Sequence, residues 1–148
     1  MSFDTLLRAA LQVVASVAVI SSTAAQQPAR PLTVADMQRF QQVSDPRMSA
    51  SGNWIVYTVS GTDTVHDRAN GDIWVSRWDG TRTVRMTYGT EDEHSPQFAG
   101  SEHAISFLTS RGDPHNSDQL WLLPTDGRAA HKLTSVKAGV DDYAWAPA

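Results

Sequence analysis

No cysteine occurs anywhere in the 148 residues. That absence removes a disulfide framework, a thiolate zinc site, a cysteine nucleophile and a lipid-modified bacterial N-terminus together. Basic residues are scarce and scattered. Twelve Lys and Arg stand against 16 Asp and Glu, for a net charge of −4, with no Lys/Arg cluster, so a nucleic-acid partner is not expected. Apolar residues make up 41% of the chain, too many for a disordered polymer and too few for several membrane spans. The length suits one modest domain with its own core, and not two. Phe and Tyr are few, four and three, yet there are five tryptophans. That excess needs a structural reason.

Residues 1–25 differ from the rest. Only Asp4 and Arg8 are charged, and Ala9 to Ile20 is Ala, Val, Leu or Ile apart from Gln12 and Ser16. As a helix this run reaches about 18 Å, well short of the roughly 30 Å of bilayer hydrocarbon. Ser21-Ser22-Thr23-Ala24-Ala25 follows, with Thr23 and Ala25 at the two small-residue positions of a signal-peptidase site. The alternative is a buried amphipathic helix, but the run has no polar face. Residues 1–25 are expected to be a signal peptide, which makes the protein exported, periplasmic or secreted, with no membrane span after cleavage.

Residues 26–43 read as linker and short helix. Thr33-Val34-Ala35-Asp36 fits a capping box, with Met37 and Phe40 on one face and an end before Ser44-Asp45-Pro46. From residue 44 to 148 the pattern turns to period two. Trp54–Val59, Ile73–Ser76, Ala104–Leu108 and Leu120–Leu123 are short β-branched and aromatic runs separated by Gly, Asp, Asn and Ser. This part is expected to be all-β.

It also repeats. A slide of 47 puts Ile73-Trp74-Val75 on Leu120-Trp121-Leu122, Asp79-Gly80 on Asp126-Gly127, Met86-Thr87 on Leu133-Thr134 and Phe98 on Trp145. A slide of 50 puts Pro46 on Pro96, Met48 on Phe98, Ile55 on Ile105 and Tyr57 on Phe107. One three-residue insertion between Tyr57 and Ile73, assigned to a loop, reconciles the two offsets. Each unit offers four strands: one starting near Met48 or Phe98, one ending in Tyr57 or Phe107, one carrying Trp74 or Trp121, and one ending at Met86-Thr87 or Leu133-Thr134. The Asp-Gly pairs form tight hairpins that need positive φ. Four antiparallel strands at this period describe a propeller blade, and the tryptophans then fill the space between blades. The chain supplies two blades plus the first strand of a third, Tyr143 to Pro147, an incomplete β-propeller. Closed propellers use about four to eight blades, so the chain reads as the N-terminal piece of a longer protein.

These segments, from "VSDPRMSASGNWIVYTVS" through "GDIWVSRWDG", "RMTYGTEDEHSPQF", "AISFLTSRGD" and "DQLWLLPTDG" to "DDYAWAPA", resemble the start of an exported prolyl oligopeptidase-family serine peptidase of the acylaminoacyl-peptidase and dipeptidyl aminopeptidase branch. The family's Ser-Pro-Asp-Gly element is reduced here to Ser49-Ala50-Ser51-Gly52 and Ala99-Gly100-Ser101-Glu102, while its Leu-Thr element survives. The resemblance implies a propeller that admits short peptides to a C-terminal α/β-hydrolase domain carrying the serine, acid and histidine. That domain is a missing partner here, because no Gly-x-Ser-x-Gly occurs. No catalytic, cofactor-binding or metal-binding residue is carried over, and the chain alone is expected to be inactive. A Tol-system-like propeller for protein interaction is the alternative, and a truncated reading frame a third.

Among the polar clusters, Glu91-Asp92-Glu93-His94 is densest. Neighbours on an extended chain point to alternate faces, so a solvated inter-blade loop is expected rather than a metal site. Glu91 and Glu93 lie outside the sequence context of the amino-terminus clamp in dipeptidyl peptidase IV relatives. Histidines 66, 103, 115 and 131 lack metal-ligand spacing. Arg111, in Ser110-Arg111-Gly112-Asp113, pairs with an acid of its own blade or faces the channel. Asp141-Asp142 reads as another inter-blade turn.

Overall fold

The computed structural model describes residues 30–63 and 67–146. The expected signal peptide, cleavage point and His66 lie outside the described residues. Asp36 folds back on Thr33, its Oδ2 accepting the Thr33 N–H at 2.9 Å and hydroxyl at 2.7 Å. This box opens α1 (Val34–Met37), which is only four residues long, and Met37 and Phe40 are both exposed.

Two four-stranded antiparallel sheets follow, and the described residues hold little other regular structure. The first runs in the order β1 (Gln42–Met48), β2 (Trp54–Asp63), β3 (Arg68–Arg77), β4 (Thr83–Arg85). The second repeats it with β5 (His94–Phe98), β6 (Ala104–Thr109), β7 (Gln119–Pro124) and β8 (His131–Lys132). Trp74 and Trp121 occupy equivalent places on the third strands, opposite Tyr57 and Phe107 respectively.

The repeated residues have repeated jobs. Thr87 Oγ1 accepts the Ile73 N–H and Thr134 Oγ1 the Leu120 N–H, both at 2.9 Å, so each threonine ends the β3 or β7 ladder where the fourth strand stops. Gly80 and Gly127 take φ of 73° and 90° in the two Asp-Gly hairpins. There Asp79 and Asp126 accept the N–H two residues on, at 3.0 and 3.2 Å. The Thr81 hydroxyl and the Arg128 guanidinium, which also donate to these carboxylates, and then the backbone bonds hold both carboxyls below the usual aspartate range.

Four expectations are corrected. The first strands do not start near Met48 and Phe98 but end there, and β1 opens at Gln42, inside the stretch read as linker and helix. Ser44-Asp45-Pro46, read as a break, is a bulge instead. Asp45 and Ser95 both take φ of 53°, the register shifts beside each, and the following proline sits on an edge strand where its missing N–H costs no ladder bond. The three-residue insertion is not simply loop, for β2 and β3 extend their pairing through Gly61↔Asn70, Thr62↔Ala69 and Asp63↔Arg68. Finally, Tyr143–Ala146 is not a strand, because no second strand lies beside it to complete a ladder.

That last segment still lies on the second sheet. Gln97 Nε2 donates to the Tyr143 carbonyl at 2.9 Å, the Tyr143 hydroxyl to the Ser95 carbonyl at 2.7 Å, and Trp145 Nε1 to Ser106 Oγ at 2.7 Å. Burial pushes the Tyr143 phenol up to about 12.

The core lies between the sheets. Val56, Ile73 and Val75 on one face of the first sheet meet Ile105, Phe107 and Leu123 of the second, with Trp54, Met86, Phe98 and Trp121 at the margin. The contacting faces are not equivalent. In the second sheet the buried face carries Ile105, Phe107 and Trp121. The matching residues of the first, Ile55, Tyr57 and Trp74, lie on its outer face with Met48, which is 62% exposed. The stacking is therefore head to tail.

Candidate functional site

The densest polar chemistry gathers where the chain passes from one sheet to the next. Gly71, on β3, receives the crossing strand: its N–H donates to Asp92 Oδ1 at 2.7 Å and its carbonyl accepts the Glu93 N–H at 3.0 Å. A Cβ on Gly71 would stand 2.9 Å from the Glu93 carbonyl, so only glycine permits this approach. The second sheet repeats the bond 47 residues on, with the Asp118 carbonyl accepting the Val140 N–H at 2.8 Å.

The four residues of the acidic run then diverge. Glu91 pairs with Arg68 at 3.5 Å, and Asp92 serves Gly71. His94 Nε2 lies 3.1 Å from Asp118 Oδ2. Glu93 is fully buried and its Oε1 pairs with Arg111 Nη2, while the guanidinium sits 5.4 Å over the Trp121 ring. The run is therefore not the solvated loop expected of it, since one of its carboxylates is in the interior. Arg111 pairs with an acid of its own sheet, as one of its two readings had it. Gly89 makes room for the pair, because a Cβ there would stand 2.7 Å from Glu93 Oε1. Glu93 Oε2 and Trp121 Nε1 have no hydrogen-bond partner among the described residues.

No cluster of three or more His, Asp or Glu able to hold an ion occurs among the described residues. Acyl-transfer chemistry comes closer. Ser95 Oγ lies 3.1 Å from His94 Nδ1, and the other ring nitrogen faces Asp118. The serine, however, sits beneath the Tyr143 side chain that bonds its carbonyl, and the cleft of about 330 Å³ between the sheets is lined elsewhere. The trio ties the start of β5 to the start of β7. None of the three lines that cleft.

No protein-family model matches the chain. A Bacillus subtilis (strain 168) protein named Uncharacterized peptidase YuxL is 26% identical over 117 residues, which are 78% of this chain and 17% of that one. An acylaminoacyl peptidase solved in complex with Z-Gly-Gly-Phe-chloromethyl ketone superposes with a TM-score of 0.55 at 17% identity, over 69% of this chain and 15% of its own. The Pyrococcus horikoshii acylaminoacyl peptidase in its orthorhombic crystal form gives 0.53 at 18% identity, over 68% and 15%. The chain resembles peptidases of the prolyl oligopeptidase family. It spans about a sixth of the length of these relatives. The structural likeness is one of fold.

Sequence reasoning passed over the Glu93–Arg111–Trp121 group, although a signal for it existed. The positions equivalent to Glu93 in the flanking units are Val43 and Val140. A carboxylate where the repeat carries valine is a departure that needs a dedicated partner. The two glycines that let the sheets close, Gly71 and Gly89, gave no such signal. The remaining histidines, His103, His115 and His131, stay apart, on the β5–β6 turn, the β6–β7 loop and β8.

Proposed function

We propose that the chain is the N-terminal part of a β-propeller in an exported serine peptidase, where the propeller restricts access of short peptides to an α/β-hydrolase domain outside these residues. The observation that carries this reading is the head-to-tail stacking of two sheets with one shared set of junction bonds. It supports further sheets added in the same sense, within proteins whose relatives are peptidases. The first sheet's outer face, with Met48, Ile55, Tyr57 and Trp74, would meet the last sheet of such a ring. Residues 1–25 would direct export and be removed near Ala25.

In this reading these residues select substrates and do no chemistry. Peptide acyl transfer needs an activated nucleophile, a base within reach and oxyanion donors, and the described residues do not assemble all three. The test compares the 148-residue chain with the product of its reading frame continued through a Gly-x-Ser-x-Gly segment. Both are offered chromogenic aminoacyl and acylaminoacyl substrates. Turnover by the longer product alone, blocked by a serine-directed phosphonate, is the expected result. Phosphonate-sensitive turnover by the 148 residues, or a continuation lacking the serine elbow, overturns the reading.

A further inference from the structure

The cleft of about 330 Å³ between the two sheets is walled by Trp54, Val75, Val84, Met86 and Phe98. An arginine, a glutamate and a histidine stand at its rim. Arg82 comes from the β3–β4 turn of the first sheet, whereas Glu102 and His103 come from the β5–β6 turn of the second. The Arg82 side chain is exposed and has no hydrogen-bond or ion-pair partner among the described residues. Glu102 is anchored by the Ser51 hydroxyl, which donates to Oε1, and Ser51 in turn lies 3.3 Å from the Ser49 hydroxyl. These hydroxyls hold the Glu102 carboxyl below the usual glutamate range, so it is anionic at neutral pH. Arg77 lies 5.4 Å over the ring of Trp54, one of the walls.

Apolar walls flanked by one fixed anion and one unpaired cation, offered by two different sheets, match a ligand with both charges and an apolar body. The volume falls at the small end of ordinary ligand sites. We infer that this cleft binds a short apolar peptide with both termini free, its ammonium at Glu102, its carboxylate at Arg82 and its side chains between Trp54 and Phe98. A hydrophobic ligand without charges would leave Arg82 unpaired, and one with a single charge would use half of the rim. The site does not depend on the peptidase reading, because it is complete within these residues.

The experiment titrates the full chain with leucyl-leucine, following the Trp54 indole N–H by NMR, with a Trp54→Phe sample to identify the peak. Parallel titrations use N-acetyl-leucyl-leucine and leucyl-leucine amide. Each cap removes one charge-assisted contact and is expected to weaken binding roughly tenfold or more. Arg82→Gln, which breaks no described side-chain hydrogen bond or ion pair, is expected to weaken the free dipeptide and to leave the affinity for its amide unchanged. No saturable shift with the free dipeptide overturns the inference. So does equal affinity for all three probes, which would show a hydrophobic crevice without recognition of the termini. An Arg82→Gln chain that binds the free dipeptide as tightly as the parent also overturns it.

Discussion

Replacing Arg111 by Met tests whether the junction between the sheets depends on a buried ion pair. Glu93 is fully buried, whereas the Arg111 side chain keeps 36% of its exposure. Methionine retains an apolar stem over Trp121 but removes the cation, leaving a carboxylate in the interior with neither oxygen paired. Breaking a buried pair in this way costs about 3–5 kcal/mol. The solvent-facing edge of Arg111 argues for the low end, about 3 kcal/mol, which for a domain of this size lowers Tm by roughly 10–20 °C. The double variant Glu93→Leu with Arg111→Met removes both charges and leaves an apolar side chain in the buried place of Glu93. Its stability is expected within about 1 kcal/mol of the parent. Urea unfolding followed by tryptophan fluorescence, with thermal melts by circular dichroism, measures both. A single variant that loses less than about 1 kcal/mol, or a double variant as unstable as the single, would refute the reasoning.

Three further outcomes follow from the same geometry. Thr58 is buried in the first sheet with a hydroxyl that has no partner among the described residues. Thr58→Val is therefore expected to stabilise the chain by about 1 kcal/mol, seen as a higher urea midpoint at unchanged slope. Gly71→Ala forces a Cβ to 2.7 Å from Asp92 Oδ1 and 2.9 Å from the Glu93 carbonyl, and is expected to cost about 1–3 kcal/mol in the same assay. Tyr143 is held neutral by burial, with its folded value of about 12 above the unfolded 10. The neutral phenol thus adds stability in full below pH 10, and that increment is lost as pH rises from 10 towards 12. Melts of Tyr143→Phe across this window should lack the parent's decline attributable to that group, and parallel curves for the two proteins would disprove it.

The parts of the fold that repetition writes twice are readable from the chain. Trp74 and Trp121, the Asp-Gly hairpins and the paired threonines each do in the second sheet what they do in the first, so a slide of the sequence finds them. What occurs once is harder to see. Ser44-Asp45-Pro46 looks like a stop because aspartate and proline disfavour strands, and only the bulge at positive φ explains how the strand runs through. Tyr143–Ala146 has strand composition but no neighbouring strand, and composition cannot supply a ladder. The candidate cleft escaped for a different reason. Arg82 and Glu102 are ordinary turn residues along the chain, and only the stacking of the sheets brings them to one opening.

The bonds that join the sheets run in one direction along the chain. The Gly71 carbonyl waits for the N–H of Glu93, and the Asp118 carbonyl for that of Val140. Each sheet's inner cover is made of residues synthesised after it, so completion keeps the order of synthesis. The outer face of the first sheet stands outside this order, since nothing made next covers it. Met48 and Tyr57 stand on that face, which no strand among the described residues covers.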